Sequence, residues 1–485
     1  SVVAYQTMQF ERLSNLDKKW QVSRRGFMLG ATATAAAAVT GCSRVAAQAS
    51  DIQLTAKAGR ARLLSDSTVS TAVFGYGGQV PGRELRLRQG DRLRVSVKNE
   101  LQEETTVHWH GIRLPNAMDG VPHLTQKPIK PGETFLYDFV APDAGTYWYH
   151  PHYNSSQQVG RGLYGPLIVE EAEPIKVDRD ITWLLGDWRL HEDGQISDDF
   201  GNMHDSMHAG RVGNTITING LAPQPLAVRT GERVRLRLIN VANARIFGLK
   251  FAGHSPKIIA LDGQPVTPHE PSGAVLVGPA MRVDLIIDMV GDPSSNFTVE
   301  DTFYKGLEYA LTTLEYGGTP LRQALLPTPV ALPPNRIAEP HLRAATRHEI
   351  TFSGGMGGGM GMMGGRMMGG GMGMMGGMSW AINGVSPTSH THEPMLTFAR
   401  GKTVVLNLNN DTAWWHPIHL HGHSFRVISR NGKPTAHREW QDTVLMPPRE
   451  TAEIAFVADN PGDWMFHCHV LEHQAAGMMA NLRVA

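Results

Sequence analysis

The chain has 485 residues, 41% hydrophobic and 19% charged, enough apolar material for about three packed domains and too little charge for global disorder. Lysine plus arginine and aspartate plus glutamate number 45 each, so the basic excess of a nucleic-acid binder is missing and no nucleic-acid partner is expected. Only two cysteines are present, which leaves packed cores rather than disulfides to stabilise the fold.

In chain order, residues 1–49 come first, with six basic and two acidic side chains. Ser23-Arg24-Arg25-Gly26-Phe27-Met28-Leu29 looks like a twin-arginine export signal, followed by an apolar run through Ala38-Val39. That run is short and rich in alanine and threonine, so no transmembrane span is expected in the mature chain, which should be periplasmic and monomeric. Ala47-Gln48-Ala49 fits cleavage before Ser50, the preferred reading. Val39-Thr40-Gly41-Cys42 instead resembles a lipoprotein box that would leave Cys42 lipid-bearing.

From residue 50 onward the periodicity is that of strands. Gln89-Gly90-Asp91 leads into the alternating segment Arg92-Leu93-Arg94-Val95-Ser96-Val97. The same grammar, a glycine-led turn and an alternating strand ending near asparagine, recurs at residues 231–240 and 401–410. Three copies spaced by roughly 150 residues predict an all-β chain of three related β-sandwich domains. Their expected spans are 50–172, 173–325 and 326–485. The last includes a proline-rich linker with Pro327, Pro329, Pro333 and Pro334.

Within that last span, Gly354 to Met378 holds ten methionines, fourteen glycines and Arg366. Glycine raises the cost of ordering and methionine packs without fixed shape, so a mobile exposed loop is expected. Thioethers are soft ligands, and the segment is a candidate for capturing additional Cu(I). Its competing readings are a flexible linker and a sacrificial target of oxidation. Met203-His204-Asp205-Ser206-Met207-His208 is a smaller candidate for copper binding, set against an exposed polar loop. His390-Thr391-His392 reads as a solvated turn.

Four histidine clusters carry the chemistry: His108-Trp109-His110, His150-Pro151-His152, His416-Pro417-Ile418-His419-Leu420-His421-Gly422-His423, and His467-Cys468-His469 followed by His473 and Met478. On a strand, residues i and i+2 share a face and i+1 takes the other. His467 and His469 can therefore face one metal centre while Cys468 faces a second. Pairs His108/His110, His150/His152, His419/His421 and His467/His469 could converge as eight imidazoles, a set that needs several metal ions. On the other face, Cys468, His416 and His473 with Met478 as a weak axial ligand suit blue copper. Zinc rarely uses thioether and would leave the redox arrangement unused. The shared segment links a one-electron site to a multi-electron acceptor, a role that dioxygen fits.

These four motifs, and essentially everything after the leader, resemble a bacterial three-domain multicopper oxidase of the laccase and copper-efflux cuprous-oxidase group. The resemblance implies Greek-key cupredoxin-like sandwiches and four copper ions, one type 1, one type 2 and a type 3 pair. It implies that His416, Cys468, His473 and Met478 hold the type 1 ion, and that His108 and His419 hold the type 2 ion. His110, His150, His152, His421, His467 and His469 then match the type 3 pair. Asp119 falls at the family's acidic position and would orient water and relay protons. Gln474 departs from the pattern, since related enzymes commonly carry glutamate there and glutamine cannot accept and release a proton.

The resulting expectation is an exported copper-tolerance enzyme that oxidises Cu(I), and phenols or aromatic amines as well, while reducing dioxygen to water. Trp414 and Trp415 stand before His416, with Asp411 slightly further back, where efflux oxidases use methionine and acidic residues, so no cuprous-ion substrate site is carried over. A general phenol-oxidising laccase is the alternative. A copper-sequestering or fold-only periplasmic protein is the alternative of another class.

Overall fold

The computed structural model describes residues 51–66, 68–328, 331–356, 379–389 and 393–485. Residues 1–49, expected above to be an export leader, residues 357–378 of the methionine-glycine segment and His390-Thr391-His392 lie outside them. Strands dominate; the longest helix among the described residues, Ser155–Gly160, has six residues. None of the described helices is long and apolar enough to cross a membrane.

Six sheets follow one another in three pairs. The alternating segments seen in the sequence occupy equivalent places in three of them. Arg92–Asn99, Arg233–Asn240 and Thr403–Asn410 each lie between a parallel neighbour and an antiparallel one. The parallel neighbours are Ile52–Ala61, Arg179–Trp188 and Thr346–Ser353. The antiparallel ones are Thr134–Val140, Arg282–Asp288 and Thr451–Val457.

The asparagine that closes each alternating strand does the same work three times. Asn99, Asn240 and Asn410 are fully buried, and each accepts the backbone N–H two residues on. Each Nδ2 donates to carbonyls of two chain segments, such as Glu103 and Ile129 for Asn99. For Asn240 these are Arg245 and Val277, and for Asn410 they are Trp414 and Met446. A side chain with both donor and acceptor is needed where the backbone turns away from the ladder.

Arg233–Asn240 differs from an ordinary half-exposed strand because both of its faces are buried. Its arginines are paired: Arg233 with Asp288, Arg235 with Glu171 and Asp284, Arg237 with Asp180. Thr146 from an earlier strand donates to Asp284 and accepts from Arg237, tying the first region to the second.

The remaining sheets hold the histidine motifs on corresponding strands. In the first region these are His108–His110 and Gly145–His150; in the last, His416–Leu420 and Gly462–Cys468. The middle region has Phe247–Phe251 and Asn296–Asp301 at those places, with phenylalanine, leucine and aspartate instead of ligands. One apolar cluster runs from the first region into the last, and a second fills the middle region.

Candidate metal centres

Strand register explains how the motifs divide between two faces. His419 lies directly opposite His467, and Ile418 opposite Cys468. Opposed residues of an antiparallel pair share a face, so His419 joins His467, while His416, two before Ile418, joins Cys468. The odd spacing between His416 and His419 is what sends them to different centres. In the first region His108 lies opposite His150, and Trp109 opposite Tyr149 on the other face. Gly111 follows His110 at φ +89, and a Cβ there would collide with the Arg282 guanidinium and the Asp442 carboxylate.

All eight paired histidines are buried and meet between the first and last regions. Two triads, His110/His150/His469 and His152/His421/His467, each bring ligand nitrogens within 4.8 Å of one another. His108 and His419 add to this set through a third triad with His110. Trp148 stacks on His150 with ring centroids 4.2 Å apart, and Trp109 packs beneath against Tyr137 and Phe139.

Hydrogen bonds fix which nitrogen faces inward. His108 Nδ1 donates to the Asp119 carbonyl at 2.7 Å and His419 Nδ1 to the Asp442 carbonyl at 2.8 Å. The opposite nitrogens, Nε2 of His108 and of His419, have no hydrogen-bond partner among the described residues, and neither has His469 Nδ1. His421 Nδ1 donates to the Asp119 carboxylate and His467 Nδ1 to the Cys468 carbonyl, yet their Nε2 atoms face each other at 3.1 Å. Burial first, and then the charge of neighbouring imidazoles, holds His110, His150, His421 and His469 well below the ordinary imidazole value. Neutral rings with lone pairs aimed at one another are unfavourable unless cations lie between them. These residues fit bound metal ions.

The other face repeats this logic. His416 Nδ1 lies 3.4 Å from Cys468 Sγ, His473 Nδ1 3.7 Å from it, and the two Nδ1 atoms are 3.1 Å apart. Thr412 Oγ1 occupies His416 Nε2 at 2.8 Å, and His473 Nε2 donates to the His208 carbonyl at 2.7 Å. Both rings therefore turn Nδ1 toward the sulfur. Burial lowers His473 to about 3 and pushes the Cys468 thiol up, so a cation is what would make that sulfur a thiolate. Met478 is fully buried, and its backbone bonds to both Cys468 and His473. Copper suits thiolate, imidazole and thioether together better than zinc does.

Several anchoring groups carry no motif and escape a reading of the sequence. Asp442 accepts from His110 Nε2 at 3.2 Å, and Arg282 holds both oxygens of its carboxylate. Asp262 accepts the N–H groups of Asp442 and Thr443, and burial beside Asp442 pushes it up to about 7. Trp380 lies over His473 with centroids 4.1 Å apart and donates to the Ser206 carbonyl. Glu472, buried beside His473, accepts from Arg211 N–H and Asn243 Nδ2, tying the last helix to the middle region. Asp119 holds His421 through its carboxylate and His108 through its carbonyl, a positioning role added to the expected acid–base one. Gln474 lines a cleft of about 380 Å³ together with His152 and His123.

Fold and site define the class: an oxidase of cupredoxin-like sandwiches whose buried imidazoles and single thiol suit redox-active metal. Three family models, each described as multicopper oxidase, match residues 58–174, 179–319 and 371–485. The chain belongs to the multicopper oxidase family, in its bacterial three-domain form. It is 33% identical over 446 residues to the multicopper oxidase MmcO of Mycobacterium tuberculosis, covering 84% of this chain and 82% of that one. A crystal structure of a multi-copper oxidase from Pseudomonas thermotolerans is 36% identical with a TM-score of 0.79, covering 90% of this chain and 99% of that one. A multicopper oxidase from Campylobacter jejuni, described as a metallo-oxidase, is 31% identical with a TM-score of 0.73, covering 89% and 90%.

Proposed function

We propose that the protein is an exported, periplasmic cuprous oxidase of copper tolerance, which oxidises four Cu(I) to Cu(II) and reduces one dioxygen, with four protons, to two waters. In this reading four copper ions are resident. His416, Cys468, His473 and Met478 hold the type 1 ion, and His108 and His419 the type 2 ion. His110, His150 and His469 hold one member of the type 3 pair, and His152, His421 and His467 the other. When bound, these ions supply one-electron uptake at the first site and four-electron delivery at the cluster.

The chain's own residues do the rest. Thr412 and the His208 carbonyl hold the two type 1 imidazoles in the ligating tautomer. Asp119 fixes His421 and His108 and keeps a carboxylate beside the cluster, where protons are consumed. The cleft at His152 and Gln474 gives solvent and dioxygen access.

The observation that favours a metal ion over a phenol as reductant is the cover on His473. Its ring is fully buried beneath Trp380 and the His208 backbone, so no aromatic substrate can lie against its edge. A metal ion needs only ligands near that cover, and the helix Met203–Met207, to which Trp380 bonds, carries two candidate thioethers. Met356 N–H donates to the Met207 carbonyl, joining the start of the methionine-glycine segment to the helix Met203–Met207.

Oxygen uptake by copper-loaded protein with Cu(I) and, separately, with a phenol tests this, alongside the visible spectrum. An intense blue band and much faster Cu(I) turnover are expected; a preference for phenol would make the protein a laccase instead. Deleting residues 354–378 should lower Cu(I) oxidation while phenol oxidation is retained or raised. Unchanged cuprous turnover would remove the segment from substrate capture. Replacing Gln474 by glutamate puts a titratable group at the cleft, and the pH–rate profile of oxygen reduction should extend to higher pH. Identical profiles would take residue 474 out of the proton path.

A further inference from the structure

Residues 203–207 form a short helix, Met203–Met207, that His208 ends, and Trp380 and the His208 carbonyl join it to His473 on the proposed type 1 face. We infer that the imidazoles of His204, on this helix, and His208, at its end, bind the substrate Cu(I) and that the His208 carbonyl passes its electron to His473. The inference rests on the cuprous-oxidase reading and locates its substrate site.

The helix is held as a rigid platform. Asn202 caps it by accepting the Asp205 N–H at 2.9 Å, and the buried Asp205 carboxylate receives two bonds from Arg189. Trp380 Nε1 donates to the Ser206 carbonyl and Met356 N–H to that of Met207, closing the other side. A short helix pinned in this way keeps the backbone positions of its exposed side chains in fixed relation.

His208, the residue that ends the helix, lies beside His204, their rings stacked with centroids 4.4 Å apart; rotation of the exposed His204 ring about its side-chain bonds brings its nitrogen round to an ion held by His208. The His204 side chain is 81% exposed. His208 Nδ1 donates to the His204 carbonyl at 2.8 Å, which leaves Nε2 as the ring atom that can meet a ligand. Both rings line a cleft of about 490 Å³ together with Trp414, whose ring edge meets His208. Arg189, also in this cleft, is neutralised by Asp199 and Asp205, so it does not repel a cation. Imidazole accommodates copper in both oxidation states, and the same helix carries the thioethers of Met203 and Met207.

His208 is also the residue whose carbonyl accepts the proton of His473 Nε2 at 2.7 Å. A metal ion on the His208 ring is therefore one residue and one hydrogen bond from a type 1 ligand. In the step proposed, the bound Cu(I) loses one electron and becomes Cu(II), and no proton or bond is exchanged at this site. Dioxygen is the final acceptor of four such electrons.

Two measurements on the full-length holoenzyme test the site. In anaerobic titration of fully reduced protein with Cu(I) against a chromogenic cuprous chelator, His204→Ala/His208→Ala should bind one equivalent less than the parent, the remaining Cu(I) capacity being common to both. In anaerobic stopped flow, Cu(I) and hydroquinone are compared as reductants that bleach the blue band. Loss of even an outer partner of a metal site costs about 10- to 100-fold, so the ratio of Cu(I) to hydroquinone bleaching rates should fall at least tenfold in His204→Ala and in His208→Ala. His204→Ala keeps the test valid if His208→Ala is poorly folded, because the His204 ring lies in solvent. Equal stoichiometry and an unchanged ratio in His204→Ala would overturn the site while leaving the cuprous-oxidase reading intact. If the parent is not bleached by Cu(I), that reading fails, and the equilibrium difference alone then decides whether the two imidazoles bind Cu(I).

Discussion

Replacing Cys468 by serine is expected to erase the blue colour and to stop oxygen uptake with every reductant, while the fold and most of the bound copper survive. Among the described residues the sulfur is the soft donor within reach of His416 and His473 that a bound cation can make anionic, and both rings aim their Nδ1 atoms at it. Serine offers a hard oxygen that copper holds weakly and that gives no intense thiolate absorption. Outer partners of metal ligands cost about 10- to 100-fold in affinity or activity when lost, so removal of this ligand should exceed that range. The side chains of His467 and His469 lie on the opposite face, which is why one copper ion, not four, should be missing. Metal analysis, the visible spectrum and oxygen uptake on one preparation check this. A blue, active Cys468→Ser protein would refute the type 1 assignment.

A second large effect is expected at a residue that is not itself a ligand but holds the anchor of one. Arg282→Met should destabilise the protein by about 3–5 kcal/mol, the cost of leaving a buried charge without its partner. Arg282 is fully buried and holds both oxygens of Asp442, while Asp262 accepts its backbone N–H and the N–H groups of Asp442 and Thr443. Without the guanidinium, two carboxylates face each other beneath His110 and His419. Copper content should fall together with stability, because Asp442 anchors His110 by its side chain and His419 by its carbonyl. Adding Asp442→Asn removes one of the stranded charges and should restore part of the loss, a coupling that denaturant titration of the two single variants and the double variant will measure. Additive losses would show that Arg282 and Asp442 do not act as a pair.

How much of this was legible in the sequence follows from what a residue pattern can encode. Period-two alternation marked the three equivalent strands, because a pleated strand between two environments must alternate. Spacing of the histidines likewise announced two faces, since His467, Cys468 and His469 cannot all point the same way. The asparagines at the strand ends were visible as a recurrence, but their shared bonding was not. The buried polar face of Arg233–Asn240 was hidden because its partners, Glu171, Asp180 and Asp284, are remote in the chain. Asp442 and Arg282 are 160 positions apart and belong to no motif. The contact from His208 to His473 is made by a backbone carbonyl, an atom that every residue has and that no pattern can mark.

Each of the two triads proposed above for the type 3 pair combines histidines from residues 108–152 with others from residues 416–469. A metal ion held there would work as a removable cross-link between distant parts of one chain, with the whole middle repeat looped between them. Neither end alone completes either of these two triads, although His108, His150 and His152 of the first end lie close enough together to form a set of their own. Copper retention is thus a readout of tertiary completeness: a fragment or a half-folded chain would leave these triads open, and metal uptake would follow folding rather than guide it.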